Sequence, residues 1–316
     1  MNRIVVYILL ISPFLLKSQF APCVGLPGTT AIAKDSSVFK AWASGYKASL
    51  GWLDIANKNL GKPTIGDNIS PIGLAGTNGV LSLGDRGEAT LTFDYPISNG
   101  VGADFAVFEN SFNNTFLELA FVEVSSDGVH FVRFPATSLS DTIVQFDNNA
   151  SMDATKLNNL AGKYKANYGT PFDLEELKDS VGLNTHAITH VKIVDVVGSI
   201  NPMLGSRDAK NNLINDPYPT PYPSAGFDLD AVGVINSDAL GLEEATINVS
   251  IFPNPSQGVF TINVFGENRV EVYTLIGEKL VDQNFIDTTK VDLIAFPKGM
   301  YFIVINGVGY KVMLEN

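Results

Sequence analysis

The sequence predicts an all-β protein built from two successive β-sandwiches. Short runs rich in Val, Phe, Thr and Ile recur along residues 80–236, separated by clusters of Gly, Asn, Asp and Pro. Helical periodicity is scarce, and residues 249–316 repeat the short-strand pattern at closer spacing. Alternating apolar and polar residues between turn residues are typical of antiparallel strands with one buried face. We therefore expect a large two-sheet sandwich followed by a small one.

The N-terminus has the pattern of a signal peptide. Arg3 precedes an apolar run over residues 4–16, and Lys17 follows it. A charged start and an apolar run too short to span a bilayer indicate export. We predict a signal peptide over residues 1–18, with cleavage before Gln19 or somewhat later. No other apolar run is long enough to cross a membrane, so no transmembrane segment is expected after its removal.

Composition limits the possible partners. The chain carries 21 basic and 33 acidic residues, a net charge of -12. Nucleic-acid binding requires clustered Lys and Arg, so the acidic chain is not expected to bind nucleic acid. Acidity suits an extracellular protein and one that holds cations. Cys23 is the only cysteine, which excludes an intrachain disulfide and leaves packing or metal binding as sources of stability.

Six runs in the central region are predicted as strands. They cover residues 87–95, 103–109, 116–125, 129–134, 188–197 and 227–235. Residues 171–178 are predicted as a helix, because Pro171 and early acids favour a helix N-terminus. Residues 35–53 are expected to hold a second short helix. Residues 19–237 as a whole suit one large β domain.

A hairpin is predicted where residues 121–124 run into Asp127-Gly128 and residues 129–134 return. Asp-Gly supplies the positive φ of a tight turn. This hairpin, with residues 190–196 and 227–232, resembles discoidin-like, galactose-binding domains. The resemblance implies a jelly-roll-like β-sandwich, a suggestion about fold and not about ligand.

A closer resemblance covers residues 19–237. It rests on residues 102–110, 118–128, 161–164, 168–174, 215–221 and 226–232. These strings resemble an uncharacterised cell-surface protein family of Bacteroidota. The resemblance implies a secreted or surface-displayed protein and no particular activity.

The end of the chain is predicted as an acidic linker, Asp238 to Asn248, and a small Ig-like β-sandwich over residues 249–316. Its predicted strands cover residues 259–264, 270–273, 279–281, 291–293, 300–305 and 310–314. The segment contains a distinctive set of residues: Pro253, Asn254, Pro255, Gly277, Gly299, Tyr301 and Lys311. Through these residues it closely resembles the type A C-terminal sorting domain of the type IX secretion system. An ordinary Ig-like accessory module is the alternative. The resemblance implies interaction with the type IX secretion machinery and delivery to the outer-membrane exterior.

Acidic residues at strand ends are the candidate metal ligands. An unpaired carboxylate in an apolar strand is costly, so it is expected to be exposed, ion-paired or bound to a metal. Calcium takes six to eight oxygens in loose geometry, which suits such a set. We predict one calcium ion held by some of Asp104, Glu109, Asn110, Asp228 and Asp230. Asp228 and Asp230 are two apart and should share a strand face. Solvated strand edges, or pairing with Lys192 or Arg133, are the alternatives.

A proline-rich loop is the candidate ligand-binding element. Residues 216–223 contain four prolines together with Tyr218 and Tyr222. A stiff loop with two aromatic rings can form a stacking platform for a sugar or another planar ligand, and Trp52, Tyr164 and Tyr168 are candidates to join it. The alternative is a rigid crossover whose rings pack on the sandwich.

Catalytic motifs are weak. The sequence has no nucleophile elbow, no zinc-protease helix and no phosphate-binding loop. The sequence therefore predicts a non-enzymatic protein that binds an extracellular glycan, a small nutrient or a surface protein, with calcium as its cofactor. A structural or adhesive protein without a small ligand and a divergent glycan hydrolase or lyase are the alternatives.

Overall fold

The computed structural model describes residues 20–67, 69–237 and 249–315. Two compact units are present, Met1–Leu240 and Gly241–Asn316. The predicted signal peptide over residues 1–18 and the predicted linker over residues 238–248 lie outside the described residues. Almost all regular structure in the described ranges is antiparallel β-sheet, so the all-β prediction is confirmed.

The N-terminal unit contains strands from both predicted and unpredicted segments. In chain order they are β1 (Ile32–Ala33), β2 (Ala41–Trp42), β3 (Gly45–Ser49), β4 (Leu81–Ser82), β5 (Glu88–Ile97), β6 (Phe105–Glu109), β7 (Ala120–Ser125), β8 (Val132–Arg133), β9 (Thr137–Ser138), β10 (Leu157–Asn158), β11 (Tyr168–Phe172), β12 (Ile188–Asp195) and β13 (Asp228–Val234). Three 3₁₀ helices cover Lys58–Leu60, Ala154–Lys156 and Leu174–Leu177.

Two sheets form the sandwich. One runs in the order β1-β11-β6-β13-β2, with β4 also paired to β13, and the other in the order β3-β5-β12-β7-β8. Strands β9 and β10 form a separate pair. The main core lies between the sheets, because Phe105 and Val107 of one sheet cluster with Leu91, Val122 and Val191 of the other. Burial of such side chains supplies the main driving force for this packing.

Both helix predictions need correction. Residues 171–178 form the end of β11 and then a single 3₁₀ turn over Leu174–Leu177. Asp173 caps this turn, since its carboxylate accepts a hydrogen bond from the Glu175 amide at 2.9 Å. Residues 35–53 contain β2 and β3 instead of a helix, because each of these strands finds a partner at an edge of a sheet. Such pairings are long-range and leave little trace in local periodicity.

The C-terminal unit has its own sheet and its own core. Its strands are β14 (Ser250–Phe252), β15 (Val259–Thr274), β16 (Lys279–Asp292), β17 (Gly299–Ile305) and β18 (Val308–Leu314). Strand β15 joins two predicted strands, and an irregularity between Asn263 and Glu267 replaces the expected break. Strand β16 likewise joins two. Phe260, Val272 and Ile303 are buried at the centre of this unit.

A glycine fixes the approach of one loop to Glu118, just before β7. Gly162 has a φ of +80°, and a Cβ at this position would lie 1.7 Å from the Glu118 carbonyl oxygen and 3.0 Å from the Phe227 ring. We expect Gly162→Ala to lower the free energy of unfolding by about 3 kcal/mol, because both the backbone strain and the clash must be relieved.

Gly182 is the matched control for this substitution. Its φ is +81°, but a Cβ there would meet no atom within 4 Å. Gly182→Ala should therefore cost only about 1 kcal/mol, from backbone strain alone. Urea unfolding of the two variants would measure the difference. Equal losses would show that the close approach to Glu118 does not constrain the fold.

Candidate functional site

Three carboxylates meet in a pocket at one end of the sandwich. Glu109 ends β6, Asp228 begins β13, and Glu118 lies just before β7. Leu229 pairs with Glu109 across the sheet, which places Asp228 beside the end of β6. Three loop segments complete the pocket. They are the loop that follows β6, residues 148–149 between β9 and β10, and residues 220–224. We call this the acidic pocket.

Some carboxylate oxygens of the acidic pocket accept no hydrogen bond from the described residues. Glu109 Oε2 accepts a hydrogen bond from the Ser111 amide at 2.7 Å. Asp228 Oδ1 accepts one from the Ser82 hydroxyl. The carboxylate of Glu118, which is half-buried, accepts none from the described parts of the chain. The pocket therefore presents carboxylate oxygens with unmet capacity to accept hydrogen bonds or coordinate a cation.

Burial and mutual repulsion disfavour the charged forms of these acids. Burial raises the pKa of Glu109 well above its ordinary value, and the charge of Asp228 raises it further. Burial also raises the pKa of Glu118 well above its ordinary value, with further contributions from Glu109 and Asp228. Burial raises the pKa of Asp228 to about 6. A cation in the pocket would oppose all of these shifts.

Three more buried acids lie near the acidic pocket. Asp216 Oδ2 accepts from the Leu119 amide at 2.9 Å, while its Oδ1 is buried and has no hydrogen-bond partner among the described residues. Burial raises the pKa of Asp216 and of Asp195 well above the ordinary value, and raises that of Asp85 to about 6. The charge of Asp216 in turn raises the pKa values of Glu109 and Glu118. The six acids thus form one electrostatically linked group.

Aromatic rings border the acidic pocket. Phe112 and Phe116 stack with ring centroids 4.7 Å apart, and the Phe112 side chain is 73% exposed. Tyr222 is 51% exposed, and its hydroxyl accepts a hydrogen bond from Asn148 Nδ2 at 2.6 Å. Exposed rings next to polar groups suit ligands with both apolar and hydroxylated faces.

The predicted calcium set is only partly brought together. Glu109, Asn110 and Asp228 line the acidic pocket, whereas Asp104 precedes β6 and lies at the opposite end of that strand. Asp104 accepts hydrogen bonds from the Gly100 amide at 2.7 Å, the Leu174 amide at 2.7 Å and Asn236 Nδ2 at 2.9 Å. Its carboxylate holds three loop segments together and cannot share an ion with Glu109.

Asp230 is also excluded from the acidic pocket. The pairing of β13 with β6 changes register between Leu229 and Ala231, and the carboxylate of Asp230 has a different hydrogen-bond partner from that of Asp228. Both Asp230 oxygens lie near the Gly76 amide, at 2.8 and 3.0 Å. Asp230 therefore does not line the acidic pocket beside Asp228.

The predicted aromatic platform does not form. Tyr218 is buried against Ile55 and Val197, with Trp52 packed on the same cluster, and its hydroxyl donates to Asp54 Oδ1 at 2.8 Å. Tyr164 is buried and bonds through its hydroxyl to Thr30. Tyr168 lies in β11, paired with Ala33 of β1. Of the five rings, Tyr222 alone lines the acidic pocket.

Sequence reasoning missed Glu118, Asp216 and the Phe112–Phe116 pair as members of the site. Glu118 had one usable signal, an acid that directly precedes the apolar run of β7. Among the residues with described positions, no three His, Cys, Asp or Glu side chains are already grouped as a metal site. Arg133 and Lys192, the basic groups considered as alternative partners of the candidate acids, pair instead with Glu123, at 2.7 and 3.7 Å.

The residues of the predicted sorting motif stabilise the C-terminal unit. Asn254 Nδ2 donates to the Lys311 carbonyl at 3.1 Å, and Asn254 Oδ1 accepts from the Met313 amide at 2.9 Å. Asn254 stands between Pro253 and Pro255 and so fastens the start of this unit to its last strand. Tyr301 donates to the Pro297 carbonyl at 2.6 Å. The positive φ values of Gly277 and Gly299 allow the turns that precede β16 and β17.

Comparison with known families identifies this unit. Residues 250–314 match the family described as the secretion system C-terminal sorting domain. Such a domain implies export by the type IX secretion system to the cell surface or the medium, and interaction with that machinery. No helix of the described ranges is long and apolar enough to span a membrane. No curated protein sequence matches the chain.

Similar solved structures were also found. The BSP domain of a biofilm-associated protein is 10% identical, with 89% of this chain and 53% of that one aligned and a TM-score of 0.21. A β-glucuronidase from Ruminococcus gnavus is 9% identical, with 88% and 45% aligned and a TM-score of 0.22. One from Parabacteroides merdae is 9% identical, with 93% and 36% aligned and a TM-score of 0.24. The chain spans about half the length of the first two. At these TM-scores no shared fold is established.

Proposed function

We propose that the N-terminal unit is a surface-displayed, non-catalytic binding domain that takes an extracellular glycan in the acidic pocket with the support of calcium. The observation that carries the proposal is the pocket itself, where unused carboxylate oxygens lie beside the exposed rings of Phe112 and Tyr222. Sugars offer apolar faces that stack on rings and hydroxyls that donate to carboxylates. Export to the cell exterior places the pocket where glycans occur.

Calcium fits the donor chemistry of the acidic pocket. Glu118 has no hydrogen-bond partner among the described residues, and the nearby Asp216 has an orphaned buried oxygen. Glu109, Glu118 and Asp228 would supply carboxylate oxygens, and Asn110 an amide oxygen. Since no three acidic side chains of the described residues are grouped at metal-binding spacing, side-chain movement in the pocket would accompany binding. The ion would neutralise the acids and present open coordination positions to sugar hydroxyls.

Glycan hydrolysis is a second candidate function. Glu109 and Glu118 have raised pKa values because of burial, and a carboxyl group that stays protonated near neutral pH can serve as a general acid. Incubation of the protein with a glycan panel, followed by assay of new reducing ends, distinguishes the two. Binding without product supports the proposed function, whereas turnover that is lost in Glu118→Gln replaces it.

The direct test of the proposed function is a thermal melt of the mature protein with calcium or chelator, against neutral glycans and small nutrients. A ligand present at about 100 times its Kd should add about 2.7 kcal/mol to the free energy of unfolding. A calcium shift together with a glycan shift supports the proposal. Absence of every shift would favour the structural or adhesive alternative.

Tyr222 and Tyr218 provide a matched pair of variants. Tyr222→Ala is expected to weaken glycan binding at least tenfold with little change in melting temperature, because the ring is largely exposed and makes a single polar contact. Tyr218→Ala should instead cost about 3 kcal/mol of stability, because that ring is buried. Binding titrations and melts of both variants measure this. Unchanged binding in Tyr222→Ala would remove this ring from the ligand site.

A further inference from the structure

The outer face of the second sheet carries a groove that the proposed function does not use. Along β5 and β12, Leu91, Val191 and Ile193 face the core. Their neighbours Thr90 and Lys192 point outward, as strand alternation requires. Thr92 and His190 extend this floor. One wall is residues 46–49 of β3, and the other is the β7–β8 hairpin through Gly128 and Phe131. We call this feature the sheet groove.

Two glycines keep the sheet groove open. A Cβ on Gly45 would lie 2.7 Å from Thr92 Oγ1. A Cβ on Gly128, where φ is +75°, would lie 2.7 Å from His190 Cε1. The threonine hydroxyls and the Nε2 edge of the imidazole therefore remain uncovered at the floor, while Nδ1 of His190 hydrogen-bonds with the Thr189 hydroxyl at 2.8 Å. Hydroxyl and imidazole groups can each donate or accept a hydrogen bond, which suits a ligand rich in hydroxyls.

The sheet groove is basic in an acidic protein. Lys47 pairs in register with Thr90, and Thr90 pairs with Lys192, so the two lysines flank one strand on the same face. Neighbouring strands lie about 4.8 Å apart, which separates the two lysine backbones by about 10 Å. Lys47 makes no ion pair or side-chain hydrogen bond with any described residue. Its ammonium group is free for a ligand.

The other charged groups near the sheet groove leave its net charge positive. Lys192 lies 3.7 Å from Glu123, which is itself paired at 2.7 Å with Arg133. The Lys192 ammonium also lies 3.9 Å from the centroid of the Phe131 ring, which holds it over the groove. Glu88 is the one acid that lines the groove. A short ligand with an anionic group between Lys47 and Lys192 is favoured, whereas a long polyanion would be repelled by the net charge of -12.

We propose that the sheet groove is a second binding site, specific for a short acidic oligosaccharide. A sugar carboxylate would lie between Lys47 and Lys192, and sugar hydroxyls would bond to Thr90, Thr92 and His190. Charge-assisted bonds to the two lysines would select the acidic sugar over its neutral counterpart. This site differs from the acidic pocket in location and in charge, and it needs no calcium.

The test is titration of the full mature protein with an oligogalacturonate, and with its methyl ester as a neutral counterpart, both in chelator. The acidic sugar should bind at least tenfold more tightly than the ester, and Lys47→Gln should remove most of this preference. Lys210→Gln is the charge-matched control, since Lys210 is exposed and its side chain makes no described contact. Tyr222→Ala should leave this binding unchanged.

Three outcomes would overturn the proposal. Equal affinity for acid and ester would remove the charge-based recognition. Equal weakening by Lys47→Gln and Lys210→Gln would reduce it to the overall charge of the protein. Loss of binding in Tyr222→Ala but not in Lys47→Gln would assign the sugar to the acidic pocket. Because Lys47→Gln breaks no described contact, an unfolded variant is not expected, and its melt checks this.

Discussion

Chelated protein is expected to lose stability as the pH rises from 4 to 7.5, and calcium is expected to restore it. Burial raises the pKa of Asp85 and of Asp228 from an ordinary 3.8 to about 6. A group whose pKa is raised by folding stabilises the folded state below its ordinary pKa. That contribution falls as the pH rises and is fully lost above the folded value.

The magnitude is large because several acids act in the same direction. A shift of about two pH units corresponds to about 3 kcal/mol for each of Asp85 and Asp228. Burial also raises the pKa values of Glu109, Glu118, Asp195 and Asp216, so these groups extend the loss to higher pH. Exposed acids that are ion-paired, such as Asp282, have lowered pKa values, so their opposite contribution grows only up to about one pH unit above their ordinary pKa and adds little across the series.

Denaturant unfolding at pH 4.5, 6 and 7.5, with chelator or with calcium, measures this effect. In chelator the free energy of unfolding should fall across the series, and with calcium it should fall much less, since an ion binds the charged acids. Magnesium is the control for general ionic effects, because it demands tighter octahedral geometry. A chelated protein that is most stable at pH 7.5 would show that the buried acids are not destabilised by charge.

The strands of the fold were predictable where local pattern and tertiary pairing agree. Strands β5, β6, β12 and β13 lie within a few residues of their predicted positions, because β5 and β12 alternate against the main core and β6 and β13 are buried on both faces. The two-residue strands β1, β2 and β4 gave no pattern, since each exists only through a distant partner such as β11 or β13. The prolines of residues 216–223 predicted a stiff loop, but proline fixes backbone and not the direction of a ring.

The sequence predicted the residue types of the candidate site but not their arrangement in space. The rule that candidate acids lie at strand ends selected both Glu109 and Asp228. These two are neighbours, because antiparallel pairing brings the end of β6 beside the start of β13. The same rule included Asp104, which begins β6 and so lies at its other end. Glu118 and Asp216 reach the cluster through loop packing that sequence spacing alone does not reveal.

Replacing Glu109 and Glu118 together by glutamine is expected to stabilise the chelated protein at pH 7.5 and to abolish its response to calcium. A glutamate that must stay protonated at that pH costs about 1.4 kcal/mol for each pH unit above its ordinary pKa of 4.5, a limit of about 4 kcal/mol. Glutamine is close in size and carries no charge. Its amide oxygen can still accept the hydrogen bond from the Ser111 amide.

The opposite signs of the two effects make this experiment decisive. A purely structural role for the carboxylates predicts that both glutamine substitutions destabilise the protein, with or without calcium. A cation site predicts a higher melting temperature in chelator and a lower one than wild type in calcium. Glu278→Gln, at an exposed turn of the C-terminal unit, removes one carboxylate charge, against two in the double variant, and should leave both melts unchanged. If the double variant keeps the calcium shift, the ion binds elsewhere. If the double variant is stabilised but the wild type shows no calcium shift, the acidic pocket binds its ligand directly, without calcium.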